Sequence, residues 1–233
     1  MTKIHTKPQA AAETIGKSPI AEEKKQKKGA LRENIEAILI AVVLALFIRT
    51  FVVQAFKIPS GSMKNTLLIG DHILVNKFIY GVKIPFTGDA GSAGSTLIPV
   101  SQPERGDIVV FRYPEDPDKD FIKRVVGVAG DSIKVKEKKL YVNGKLVKDD
   151  AYAVHKDPRI IPEQFSARDN FGPVTVPESS LFVMGDNRDN SHDSRFWGFV
   201  DLDEVKGKAF IIYWSWNKEQ FGVRWDRIGD LLH

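Results

Sequence analysis

Positions 37–48, AILIAVVLALFI, are the longest uninterrupted apolar stretch in the chain, and after a break at Arg49 and Thr50 the sequence FVVQAF extends the apolar character to Phe56. A spanning helix needs roughly 20 apolar residues, more than the clean run supplies; residues 35–56 reach that length if Glu36 and Arg49 extend toward the two interfaces. The expectation is a single N-terminal transmembrane helix over residues 35–56. A buried core helix and a cleaved signal peptide are the alternatives. The basic KKQKKGALR before the run, with no convincing small-x-small cleavage site after it, favours a retained anchor. Lys24, Lys25, Lys27, Lys28 and Arg32 crowd its amino end, whereas only Lys57 and Lys64 follow closely. The positive-inside tendency therefore puts residues 1–34 in the cytoplasm and the rest, residues 57–233, on the outer face of the membrane.

The charge of the chain sits in the same place. Residues 1–33 carry eight Lys or Arg and four Glu, which accounts for the whole net charge of +4. The tail has no aromatic residue and no apolar period, so it is expected to be flexible. The neutral remainder has no basic surface to neutralise phosphates, which argues against a nucleic-acid partner. The absence of cysteine removes disulfides, thiol catalysis and thiolate metal sites.

After the apolar run come short β-type segments: HILVNKFIY from His72, DIVVFRY from Asp107, FIKRVVGV from Phe121, SIKVKEKKLYVNG from Ser132 and AFIIYWSW from Ala209. The turn signals ERGD, YPEDPDKD, AGD, VNGK and MGDN separate them at short spacing, the mark of a mainly β, antiparallel domain. Residues 87–106 are rich in Gly, Ser and Pro and are read as a surface loop or loose hairpin. Residues 152–177 are weakly periodic and belong to an inserted cap, about residues 136–182, with the domain core at 57–135 and 183–233. The four tryptophans, Trp197, Trp214, Trp216 and Trp225, fall late in the chain, and the core is the first expectation for them.

Two stretches have the residue types for chemistry. In IPSGSM, Pro59 fixes its own backbone angle and Gly61 opens conformations closed to other residues, so Ser60 and Ser62 lie in a tight turn that can hold a hydroxyl still and exposed. On a strand from Phe121, alternation puts Phe121, Lys123 and Val125 on one face and Ile122, Arg124 and Val126 on the other. Lys123 then has apolar company. An ammonium there loses hydration, so its proton affinity falls from about 10.4 toward the 7 to 8 useful to a general base. Lys64 does not fit the S-x-x-K spacing, because Asn65 stands three residues after Ser62.

The densest polar cluster is DNRDNSHDSR, residues 186–195. As a calcium loop it fails, since Arg188, Ser191 and Trp197 stand at the third, sixth and twelfth positions. His192 and Asp193 could complete a triad with Ser62. In a third reading the cluster is a brace: its Asp residues pair with Arg124, Arg188 or Arg195, and Ser191 hydrogen-bonds and orients the neutral lysine.

Taken together and in this order, IPSGSMKNTLLIGDHILVNKF, RGDIVVFRYPEDP, DFIKRVVGVAGD and GDNRDNSHDSRFWGFV resemble the type I signal peptidases, or leader peptidases. The resemblance covers most of residues 56–134 and 183–209. It implies a membrane-bound serine endopeptidase that works without metal or cofactor. Its substrates would be pre-proteins whose signal peptides end in small-x-small, commonly Ala-x-Ala, bound as an added strand. In the matching positions Ser62 is the nucleophile, Lys123 the general base, and Ser60 an oxyanion donor beside the Ser62 N–H. Ser191 holds the lysine, and Asp186 with Arg124 forms a bracing pair, with Asp193 and Arg195 beside them. Phe56, Ile58, Met63, Leu67, Ile73, Val110, Phe121 and Ile122 match the walls of a pocket for small side chains. Phe121 departs from a tyrosine common in the family, and His192 stands where the motif needs no histidine. The resemblance also implies the bacterial plasma membrane as the location; oligomeric state is left open.

Overall fold

The structure, a computed structural model, describes residues 30–48, 52–83, 96–98 and 100–233. Of the expected flexible tail, residues 1–29 lie outside the described residues, whereas residues 30–34 are helical, which corrects that expectation; half of the Gly/Ser-rich segment, residues 87–95 and 99, also lies outside. The chain divides into two compact units, Met1–Val42 and Val43–His233.

Helix α1 spans Ala30–Phe47, and its apolar side chains from Ile35 to Leu46 are exposed. Arg32, Glu33 and Glu36 occupy its early turns. Among the described residues no helix is long and apolar enough to cross a membrane. The anchor expected over 35–56 is also corrected at its carboxyl end, because Val53–Lys57 is strand β1. The FVVQAF segment is apolar enough for either structure, and its pairing decides: Val53 lies opposite Asn76 and Lys57 opposite His72, so the segment completes a ladder.

The remaining strands are β2 (Asp71–Asn76), β3 (Val82–Lys83), β4 (Thr96–Ile98), β5 (Ile108–Tyr113), β6 (Asp116–Gly127), β7 (Ser132–Lys136), β8 (Lys139–Val142), β9 (Lys145–Leu146), β10 (Phe171–Thr175), β11 (Ser180–Met184), β12 (Val200–Asp201), β13 (Val205–Asn217) and β14 (Gly222–Val223). A main eight-stranded sheet runs β1-β2-β13-β5-β6-β11-β12, with β14 paired to β13. A second sheet of four strands runs β10-β7-β8-β9, and β3 pairs with β4. Pairing within these sheets is antiparallel throughout, as the closely spaced turn signals require.

Strand β5 shows why the main sheet is buried on both faces. Ile108 and Val110 enter one apolar cluster with Ile58, Met63, Leu67, Ile73 and Val75, while Val109 and Phe111 enter another with Val125, Leu181 and Val183. A strand that is apolar at consecutive positions can only be satisfied between two layers, and each such side chain contributes about 1.5–3 kcal/mol when fully buried. A third cluster joins the sheets: Ile133, Val135, Leu140 and Val142 of the second sheet meet Val126, Phe182 and Met184 of the main one.

The second sheet fills much of the expected cap but begins earlier, at Ser132, and its last strand ends at Thr175. The AGD turn sets that start, with the Asp131 carboxylate accepting the Val128 N–H at 2.9 Å. The chain is back in the main sheet by Ser180. The core expectation for tryptophan holds at Trp197, which packs on Phe111 and Tyr113 with centroids 5.9 Å away. It fails at Trp214 and Trp225, which are exposed and meet edge to face at 6.3 Å.

Candidate active site

The IPSGSM stretch leaves the main sheet at the end of β1 and returns to it at β2. Two backbone bonds close the loop at its base, Ile58 N–H to Asp71 O (2.8 Å) and Gly70 N–H to Ile58 O (3.1 Å). Inside it the chain makes a helical turn, with Leu67 N–H donating to Met63 O at 2.8 Å. Met63 and Leu67, four residues apart, point down into the first apolar cluster and are fully buried. That fixes the turn from below and leaves Ser62 half-buried above it, with Ser60 exposed beside it.

Strand β6 brings Lys123 to this turn across 61 residues of sequence, with Nζ 2.8 Å from Ser62 Oγ. The amine also donates to Ile122 O at 3.1 Å and sits 5.2 Å from the centre of the Phe121 ring. Lys123 is 3% exposed. Burial lowers its pKa to about 8, against the opposing pull of the Asp193 and Asp186 carboxylates. An amine that loses its proton near neutrality can accept one from the hydroxyl it faces.

On the opposite face of β6, Arg124 is buried with its charge matched. Its Nε and Nη2 donate to the two oxygens of Asp186, both at 2.9 Å, and its Nη1 donates to Gly106 O (2.7 Å) and His233 O (2.6 Å). The Tyr152 ring stacks over the guanidinium at 4.1 Å. Thr66 Oγ1 donates to Asp186 Oδ2 at 2.5 Å, which ties this pair back to the Ser62 loop.

The polar cluster after β11 is a brace. Arg195 donates through Nε and Nη2 to both oxygens of Asp193, each at 2.8 Å, and the same carboxylate accepts the Gly185 N–H at 3.1 Å. Burial alone would raise the Asp193 pKa; the Arg195 guanidinium and these hydrogen bonds hold it below the ordinary value. Gly185 is held where no side chain fits, since a Cβ there would stand 2.2 Å from Ser191 Oγ and 2.5 Å from Ser62 O. Asn187 grips the loop itself: its N–H donates to Ser62 O at 3.0 Å and its Nδ2 to Gly61 O at 2.9 Å.

Several expected contacts differ. Ser191 does not hydrogen-bond Lys123. It is buried against Gly185 with the Asp193 carboxylate as its polar neighbour, and the second acceptor of the amine is Ile122 O. Arg188 pairs outside the cluster, with Asp149 at 2.5 Å. His192 is exposed, lies 3.2 Å from Tyr113 OH and stacks on Phe196, while Asp193 serves Arg195; the triad is not assembled. Of the pocket candidates, Ile58, Met63, Leu67, Ile73 and Val110 are fully buried core, whereas Phe56 and Ile122 keep partial exposure above them. Phe121 joins the second cluster instead, stacked on Tyr113 at 4.3 Å. Alternation assigns a residue to a face but does not tell which positions along that face stay covered. Among the described residues no group of three or more His, Asp or Glu could hold a metal ion.

Sequence reasoning missed Asn187 and Gly185. Both lie in the GDN that opens the cluster, where a glycine after an apolar strand signals a close approach; nothing local distinguishes Asn187 from Asn190.

The family described as "Signal peptidase, peptidase S26" matches residues 31–214 of this chain. Signal peptidase I of Pseudomonas aeruginosa is 38% identical over 228 residues, covering 85% of this chain and 78% of its own length. Signal peptidase I of Aquifex aeolicus is 36% identical, covering 79% of this chain and 85% of its own. A solved signal peptidase I structure from Enterococcus faecalis aligns with 46% of this chain and 97% of its own at 30% identity and a TM-score of 0.38. The family match spans both β6 and the brace, where the geometry above is built. The chain belongs to the S26 signal peptidases, the type I signal peptidase family of serine endopeptidases.

Proposed function

We propose that this protein removes N-terminal signal peptides from secreted pre-proteins by cutting after a small-x-small site. The observation that carries the reading is the 2.8 Å approach of Lys123 Nζ to Ser62 Oγ, with the amine buried and away from any direct carboxylate partner. Neutral Lys123 takes the Ser62 proton as Oγ attacks the scissile carbonyl, and the resulting oxyanion is met by the Ser62 N–H and the Ser60 hydroxyl. The protonated lysine then gives its proton to the leaving amine. Lys123, neutral again, then takes a proton from a water that attacks the acyl-enzyme, and returns that proton to Ser62 Oγ as the acyl–oxygen bond breaks. Loss of one oxyanion donor typically costs about 2.7–4 kcal/mol of barrier. The substrate lies as an added strand, its small side chains over the partly exposed Phe56 and Ile122.

The exposed apolar face of α1 supports a membrane-associated enzyme, anchored in the bacterial plasma membrane by the segment around α1 with residues 57–233 on the outer face. Release of the full-length protein from vesicles by alkaline carbonate would overturn that placement. For the chemistry, Ser62→Ala and Lys123→Met each abolish cleavage of an Ala-x-Ala peptide while a cooperative thermal transition remains. Undiminished turnover in either variant sinks the assignment.

A further inference from the structure

A single buried residue, through its side-chain amide and its backbone N–H, holds the peptide groups on both sides of Ser62. Asn187, 4% exposed, takes Gly61 O with its Nδ2 and Ser62 O with its N–H. In a trans peptide the C=O and N–H point in opposite directions. Gripping Gly61 O therefore turns the Ser62 N–H away from Asn187, and gripping Ser62 O does the same for the Met63 N–H. Among the described residues neither of these N–H groups donates a hydrogen bond, whereas Lys64, Thr66 and Leu67 all donate within the loop.

Asn187 is itself rigidly mounted. Val154 N–H donates to Asp186 O at 2.7 Å and Arg188 N–H to Val154 O at 3.0 Å, so the backbone is pinned on both sides of it. The side chain of Asp186 is committed to Arg124 and Thr66. The amide has a cost as well: Asn187 Oδ1 is buried with no partner. An apolar side chain would avoid that cost, so the position is poorly explained by stability alone.

We propose that Asn187 is the positioning residue of the oxyanion site, fixing the plane of the Gly61–Ser62 peptide so that the Ser62 N–H is aimed where the negative charge develops. The inference rests on the reading of Ser62 as nucleophile. Asn187 acts through Ser62 and does not touch the substrate.

The test uses the full chain with Asn187→Leu, which keeps the volume but removes the donor, and Asn187→Ala. Four quantities are read: kcat and KM on an Ala-x-Ala peptide, the affinity of a peptide aldehyde that forms a tetrahedral adduct, the affinity of an uncleavable peptide, and the thermal transition. A misaimed donor lowers kcat about 10- to 100-fold, less than outright loss of a donor, with KM within about twofold. Aldehyde affinity falls by the same factor as kcat/KM, and uncleavable-peptide affinity is unchanged. Asn187→Leu melts no lower than the parent. Unchanged kcat in both variants would overturn the proposal, as would parallel losses of aldehyde affinity, uncleavable-peptide affinity and melting temperature. Mass mapping of an acylating inhibitor on the parent enzyme separates the two levels. An adduct away from Ser62 overturns the nucleophile reading and this proposal together; an adduct on Ser62 with full activity in Asn187→Leu overturns only the second.

Discussion

Strand β6 carries two buried cations on adjacent residues, and its two faces treat them in opposite ways. Arg124 receives a bidentate carboxylate, two carbonyls and an aromatic face. Lys123 receives a hydroxyl and one carbonyl, with its carboxylates at a distance. A guanidinium stays charged at any ordinary pH, so burying it requires a matched anion. An ammonium can shed its proton instead, and withholding the anion makes it do so. Neighbouring positions on one strand thus yield a structural charge and the proposed chemical base.

The largest way to break this comparison is Lys123→Met. Besides removing the proposed base, it removes a buried amine that the fold pays to accommodate. The folded pKa, about 8, lies below the unfolded 10.5, so between those values the folded protein binds fewer protons and stability rises with pH. Below about pH 8 the buried ammonium costs its full penalty, about 3 kcal/mol for this shift. The inactive Lys123→Met protein should therefore be more stable than the parent at pH 7 by up to about that amount. The difference closes as pH approaches 10.5, and chemical denaturation at the two pH values measures it.

On the other face the sign reverses. Asp186→Ala strands Arg124 without its anion, and the expected cost is about 3–5 kcal/mol of stability, read from the denaturation midpoint. A loss below 1 kcal/mol, on the order expected of an exposed ion pair, would mean that the Arg124 charge is not held as described.

Gly185→Ala sharpens the comparison where the two faces meet the Ser62 loop. Its Cβ would press on Ser62 O and Ser191 Oγ, displacing the turn at a modest stability cost of about 1–3 kcal/mol. A misplacement of this kind should still lower kcat about 100-fold, which steady-state kinetics on the folded variant would show.

Much of this is legible in the sequence. Strict alternation in FIKRVV assigned Lys123 and Arg124 to opposite faces, because a strand has only two. Pro59 and Gly61 marked the turn that presents Ser62. What stayed hidden depends on contacts across long sequence separations. Asn187 meets Gly61 over 126 residues, and Arg188 finds Asp149 in the second sheet's region rather than in its own cluster. The direction of the Ser191 hydroxyl is a rotamer choice that no pattern encodes. The end of α1 is hidden as well, because VQAF is as apolar as a helix end and only its ladder with β2 reveals a strand.

The most direct test is the pH dependence of kcat/KM for an Ala-x-Ala peptide, which reports the free enzyme's base. The account predicts activity that rises with pH through an apparent pKa of about 8, set by the burial of Lys123. A profile already flat from about pH 6, or one with its maximum at about pH 5, would contradict it.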